Sequence, residues 1–251
     1  MMMTRSPVTV LFSGLPVSGE SFLPGISTVA AVQCDDRLIV FDTGPYAYRP
    51  ILQGRLRKLG IDTAKVDTVV LSHVHWDNAA NADLFPNATV ILHERELAYA
   101  EAPERHDDST PAYVGRALRR LNIRTINAET ELCAGLRIVE LPGHTPGSIG
   151  LLVGDELLAG DAVSCAGDAA AGEVRFFPVS DLRAGDSLRK AITSVSVIYP
   201  GHDRAFRVGP TMNYLDDYAI RIRFFTDPTG SDEELRIGAF APKSFASWPT
   251  D

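Results

Sequence analysis

The residues of this chain best suited to chemistry lie in Ser72-His73-Val74-His75-Trp76-Asp77-Asn78. This run follows Val66–Ser72 (VDTVVLS), an apolar, β-branched stretch that reads as a buried strand. His73, His75 and Asp77 therefore sit on the loop leaving a strand end. The His-x-His alternation puts two imidazoles on one side of an extended segment, where both can reach one ion. Neutral imidazole and carboxylate suit zinc, iron or manganese better than a soft, thiolate-preferring metal. Alone, the run could also be a polar strand end that starts a helix.

Three later motifs add to it. Leu141-Pro142-Gly143-His144-Thr145-Pro146-Gly147-Ser148 places a histidine in a Gly/Pro-rich turn. Leu158-Ala159-Gly160-Asp161-Ala162 places a carboxylate just past an apolar strand, and Tyr199-Pro200-Gly201-His202-Asp203 places a histidine just past another. Each is a ligand-type side chain on a loop at a strand end, the usual place for a site carried on a rigid scaffold. The intervals are 69 residues from His75 to His144, 17 to Asp161 and 41 to His202.

The elements that must hold these loops alternate between strands and helices. Strands are expected at Thr9–Phe12, Thr28–Gln33, Arg37–Asp42, Val66–Ser72, Thr89–Leu92, Arg137–Leu141, Ile149–Val153, Glu156–Ala159, Val174–Phe177 and Val195–Tyr199. Helices are expected at Arg49–Leu59, stopped by Gly60, and at Asn78–Leu84, Glu94–Tyr99, Tyr113–Leu121, Leu182–Ile192 and Thr211–Phe224. Glu101–Pro111 is polar and Pro-punctuated, a surface loop. Strands and helices without strict βαβ alternation point to two sheets, or one mixed sheet, covered by helices.

The chain has 251 residues, no linker and no repeat, so one domain over 1–251 is expected. That length supplies a core without disulfide staples. The formal charge of −8 argues against broad binding to nucleic acid or anionic membrane. Cys34, Cys133 and Cys165 form an odd, sparse set without CxxC spacing, which reads as reduced thiols in a reducing, cytoplasmic compartment. The N-terminus carries no signal-peptide pattern, and no window is apolar enough to span a membrane.

HVHWDN, LPGHTPGS, LAGDA and YPGHD in this order resemble the metallo-β-lactamase superfamily, over about Leu38 to His202. The FDTG run at Phe41–Gly44 resembles the family's early strand and turn. The resemblance implies an α/β (α+β) fold, a four-layer αββα sandwich of two mixed β-sheets flanked by helices, with the site at one sheet edge. It implies a metal site of His73, His75 and His144, a second of Asp77 and His202, and Asp161 bridging them. The family usually has a histidine where this chain has Asn78. Asn78 could ligate weakly through oxygen, could leave an open position, or could leave the second site weak or empty. Two zinc ions per chain are the expectation because Asp77, Asp161 and His202 are all present, with iron or manganese as alternatives.

The mechanism this implies is metal-assisted hydrolysis. A metal lowers the pKa of bound water, and the resulting hydroxide attacks an ester, lactone, thioester, amide or phosphoester. Asp77 orients the nucleophile and returns a proton to the leaving group, the one catalytic role assigned. The expected function is cleavage of a small-molecule ester, lactone or amide, similar to lactonase or hydroxyacylglutathione hydrolase members. The alternatives are a phosphodiesterase or ribonuclease of the same fold, and a one-iron oxidoreductase of the persulfide dioxygenase kind. The expected partner is a small-molecule substrate, with no nucleic acid and no membrane; a homodimer is left open. His93, His106 and Cys165 read as packing or surface residues, and Trp76 as a cleft wall or a packing residue. Loops 101–115, 164–180 and 208–225 are expected to line the cleft.

Overall fold

The computed structural model describes residues 7–17, 20, 25–175 and 183–216, together with the backbone of 220–224 and 233–237. The first sheet contains β1 (Val8–Phe12), β2 (Val29–Cys34), β3 (Arg37–Phe41), β4 (Thr68–Val70), β5 (Thr89–His93) and β6 (Ile123–Ile126), in that order. β1 to β3 form an antiparallel meander, and β3 to β6 run parallel. The second sheet contains β7 (Thr130–Cys133), β8 (Leu136–Glu140), β9 (Ile149–Val153), β10 (Glu156–Gly160), β11 (Val197–Pro200), β12 (Phe206–Arg207) and β13 (Asn213–Tyr214). Only β10 and β11 pair in parallel there; the other neighbours are antiparallel. β14 (Ile220–Phe224) and β15 (Glu233–Ile237) pair as a separate antiparallel ribbon. Helices α1 (Arg49–Lys58), α2 (Trp76–Ala79), α3 (Glu94–Glu101), α4 (Val114–Leu118), α5 (Ala166–Ala171) and α6 (Ala184–Ser194) lie between the strands in sequence.

The two-residue period of the strands builds the layers. In β2, Ala30 and Val32 join one core, while Val29 and Ala31 join another. In β5, Ile91 goes with the first group, and Val90 and Leu92 with the second. The second sheet divides the same way: Leu158, Val197 and Tyr199 face the core shared with the first sheet, whereas Leu157, Ala159 and Ile198 face α5 and α6. Leu52 and Leu56 of α1 and Tyr99 of α3 close the outer face of the first sheet. Both faces of the central strands are buried, so these strands read as continuous apolar runs. Three cores stacked through two sheets make the αββα sandwich.

Most expected elements form within a residue or two of their bounds, but four readings are corrected. Thr211–Phe224 is not a helix: it holds β13 and β14. Its Ile220-x-Ile222-x-Phe224 spacing has a period of two, which outweighs the looser helical pattern. β6 (IRTI) and β7 (TELC) were not expected, because their polar composition belongs to sheet edges, and they end their respective sheets. Residues 174–175 of the expected Val174–Phe177 strand are irregular, and 176–177 lie outside the described residues.

The fourth correction concerns the thiols. Cys34 and Cys133 are joined by a disulfide, with 6.5 Å between their Cα atoms. Their sequence separation of 99 gives no local sign of pairing; the packing of one sheet on the other brings them together. Cys165 is the free thiol. The reducing compartment read from three unpaired thiols thus loses that support. No helix among the described residues is long and apolar enough to cross a membrane.

Candidate metal centre

All four motifs arrive at the same end of the sandwich. β3 and β4 run parallel in one sheet, and β10 and β11 run parallel in the other, so their C-terminal ends open on a common edge. His73 and His75 follow β4, His144 lies in the β8–β9 turn, Asp161 follows β10, and His202 follows β11. A Cβ at Gly201 would collide with Asp161 Oδ1, so glycine there lets the β11 loop approach the carboxylate. The disulfide sits at the opposite end, where Cys34 pairs with Arg37 at the start of β3.

His73, His75, His144 and Asp161 are buried and offer four donor atoms within 4.8 Å of one another. Asp161 Oδ2 stands among three imidazoles, at 3.8 Å from His73 Nε2, 3.3 Å from His144 Nε2 and 2.9 Å from His202 Nε2. His202 Nε2 also lies 3.6 Å from Asp77 Oδ2, and its side chain, 25% exposed, faces the mouth of the site. The structure therefore brings together all six expected ligand residues.

Hydrogen bonds fix which nitrogen faces inward. The Ser72 hydroxyl donates to Asp42 Oδ2 at 2.7 Å and so accepts from His73 Nδ1 at 2.8 Å, leaving His73 Nε2 bare. His73 Nε2 and Asp161 Oδ1 are buried without a hydrogen-bond partner. His202 Nδ1 lies 3.2 Å from the Ile26 carbonyl, to which it donates, so Nε2 turns to the carboxylates. His144 Nε2 and His75 Nδ1 approach to 3.1 Å. Lone pairs converging in a buried space need a cation or protons between them, and this donor set fits a divalent metal.

The charges agree. Burial pushes the His73 imidazole well down, and its histidine neighbours add to this. Burial would raise Asp161, but His202, His144 and His73 outweigh it and hold the carboxylate well below its usual range. Burial would lower His202, but Asp161 and Asp77 lift it to about 10. Burial, reinforced by Asp161, raises Asp77 to about 6 against the opposing pull of His202.

Asn78 is fully buried, and its amide donates to Asp42 Oδ2 at 3.0 Å. Its carbonyl Oδ1 has no hydrogen-bond partner among the described residues. Asp42, at the end of β3, also accepts from the Ser72 backbone N–H at 2.7 Å, and burial raises it to about 7.

Two further acids escaped the sequence reading. Glu96 of α3 is fully buried and accepts from Val74 N at 3.0 Å, Thr145 Oγ1 at 2.8 Å and Gly147 N at 2.9 Å. It thus ties the His73–His75 segment to the His144 turn. A Cβ at Gly147 would collide with the Glu96 backbone, which explains the glycine in LPGHTPGS. Asp107 lies in the 101–111 segment, expected to be surface; that expectation holds for His106, which is exposed. Asp107 itself is buried, with Oδ2 3.3 Å from His75 Nε2. Neither acid belongs to a motif; the helical phase of α3, which buries Glu96 and Tyr99 together, was the only available signal.

The remaining candidates are structural. His93 is buried and caps α3, its Nδ1 accepting from Arg95 N at 3.0 Å. Trp76 starts α2 rather than continuing the extended segment, and its ring fills the space beside Gly25. Cys165 is half-buried, its thiol raised to about 11 by burial. On β13, the Tyr214 hydroxyl donates to Asp203 at 2.7 Å.

An αββα sandwich with a histidine–carboxylate cluster at its sheet edge defines a class of metal-site proteins. The family model of the metallo-beta-lactamase superfamily matches residues 23–202, and the chain belongs to that superfamily. Metallo-beta-lactamase domain-containing protein 1 of Xenopus laevis is 30% identical, over 80% of this chain and 81% of that protein. The N-acyl homoserine lactonase AiiB of Agrobacterium fabrum is 29% identical over 49% of this chain, and the match spans 55% of that lactonase's length. Among solved structures, a quorum-quenching N-acyl homoserine lactone lactonase superposes with a TM-score of 0.62 at 20% identity, covering 81% of this chain and 94% of the other. The dizinc quorum-quenching lactonase AidC gives 0.61 at 18%, covering 76% and 79%. At these identities the solved structures speak to the fold.

Proposed function

We propose that this protein is a metal-dependent hydrolase that cleaves a small-molecule ester, lactone or amide, with two zinc ions per chain. The observation that carries the reading is the convergence of His73, His75, His144 and Asp161, with His202 and Asp77 beside them, at one sheet edge. His73, His75 and His144 would hold one ion, and Asp77 and His202 the other, with Asp161 shared. When bound, the metal supplies an acidified water and a Lewis acid for the electrophilic oxygen.

The chain's own groups do the rest. Asp77, its backbone oxygen held by the Ser27 hydroxyl at 2.5 Å, orients the attacking water. The Asp77 carboxylate can also take the water's proton and pass it to the departing oxygen. His202, donating to Ile26 through Nδ1, keeps Nε2 turned to the carboxylates. Buried walls exclude bulk water and strengthen each of these interactions. The partner is a small molecule. Relatives named as N-acyl homoserine lactonases make an acyl homoserine lactone the first substrate to assay.

The test pairs metal analysis of purified protein with a substrate panel: lactone, ester, thioester, amide and bis-p-nitrophenyl phosphate. We expect lactone or ester turnover that a chelator abolishes and zinc restores. Turnover of the phosphodiester alone would replace this reading with a phosphodiesterase. Bound iron with oxygen uptake on a persulfide would replace it with a dioxygenase.

A further inference from the structure

We infer that Asp107 is a positioning residue that holds His75 in the one tautomer able to offer Nδ1 to a metal. The inference rests on the reading that the histidine cluster binds a metal ion. His75 Nδ1 points into the cluster, 3.1 Å from His144 Nε2, while Nε2 points out of it and lies 3.3 Å from Asp107 Oδ2, a close ionic contact without the alignment of a hydrogen bond. A neutral imidazole carries one N–H, and a coordinating nitrogen must be bare. An ionised carboxylate beside Nε2 repels a lone pair and attracts a proton, so Asp107 favours the tautomer that leaves Nδ1 free. Donation from the far nitrogen to a carboxylate also makes an imidazole a stronger ligand.

Asp107 is itself held. Oδ2 accepts from Tyr99 Oη and Thr110 Oγ1, each at 2.6 Å, and Oδ1 accepts from Ser109 N at 2.9 Å. The Ser109 carbonyl accepts from Trp76 N at 2.9 Å, fastening the loop to the residue after His75. Tyr99 stands on the same buried side of α3 as Glu96, one turn away. One helix therefore carries both the acid that ties the histidine loops together and the hydroxyl that aims Asp107. Serine at 72 does for His73 what Asp107 does for His75, with Asp42 behind it.

A simpler role, in which Asp107 only knits its own loop together, makes different predictions. Asp107→Asn keeps the shape and removes the charge. Its zinc affinity, measured by competition with a chromogenic chelator, is expected to fall about 10- to 100-fold. A purely loop-knitting role would lower the melting temperature of the metal-free protein and leave zinc affinity within about threefold of wild type, which would overturn the inference. Nitrogen-15 histidine spectra of the zinc-loaded wild type give a second test that needs no variant. They are expected to show His75 ligated through Nδ1, with an Nε2–H proton protected from exchange. Ligation through Nε2, or a freely exchanging proton, would also overturn it. If the wild type binds no zinc, the metal reading fails and this inference fails with it; tight zinc binding with an unaffected Asp107→Asn removes the inference alone.

Discussion

Replacing Glu96 tests the claim that this buried acid sets the spacing of the histidine loops. Its carboxylate accepts three hydrogen bonds, from Val74 N, Thr145 Oγ1 and Gly147 N. In Glu96→Ala the two backbone N–H groups lose their acceptor in a dry interior, each at about 1–3 kcal/mol. The Thr145 hydroxyl can turn to Ser148 Oγ, 2.7 Å away, and costs little. With a void worth about 1–2 kcal/mol added, the expected loss is about 3–8 kcal/mol. Glu96→Gln is milder: the amide keeps its oxygen at the Thr145–Gly147 side and turns its NH2 against Val74 N–H. One charge-assisted bond is lost, at about 1.5–3 kcal/mol, partly offset because the neutral amide avoids the burial that raises the Glu96 carboxyl. Urea unfolding of the metal-free protein measures both. Zinc affinity should fall alongside, because Val74 separates two of the three histidines and Thr145 follows the third. If Glu96→Ala unfolds within about 0.5 kcal/mol of wild type and binds zinc equally well, the reasoning is wrong.

Other consequences can be checked separately. His202 in the metal-free protein is raised from 6.5 to about 10, so its contribution to stability is complete below about 6.5 and is lost as pH rises through about 10. Metal must displace that proton, so apparent affinity at the Asp77–His202 side should rise up to about tenfold per pH unit until about pH 10; a flat titration would refute this. Opening the Cys34–Cys133 disulfide, by reduction or by a double serine variant, should cost about 2–4 kcal/mol in unfolding experiments and leave zinc affinity at the far end unchanged. Asn78→His should hold the second zinc ion more tightly, read as its slower loss to a chelator, at a stability cost of about 1–3 kcal/mol for packing a larger ring beside Asp42. Gly147→Ala should mimic the Glu96 variants, since its methyl group meets the α3 backbone.

The six ligand-type residues and the strands that carry them were legible because both leave local marks. A buried strand is a short β-branched run, each ligand stands on the loop just past one, and His144, Asp161 and His202 each follow a glycine. The edge strands β6 and β7 were illegible because edges need little apolar surface. The helix expected over Thr211–Phe224 failed because a short amphipathic stretch fits more than one period. The Cys34–Cys133 pair left no trace, since contacts between sheets depend on which faces meet.

The order and chemical type of the candidate metal ligands belong to the sequence, because donor identity is a property of a residue. How those donors are aimed belongs to the tertiary structure. Asp42, Glu96 and Asp107 are ordinary acids by composition. Only the packing of β3, α3 and the 101–111 loop around the histidines deprives them of water and supplies their partners. A carboxylate buried in this way must find partners, and the partners it finds here are the backbone and side chains of the loops that carry the candidate ligands.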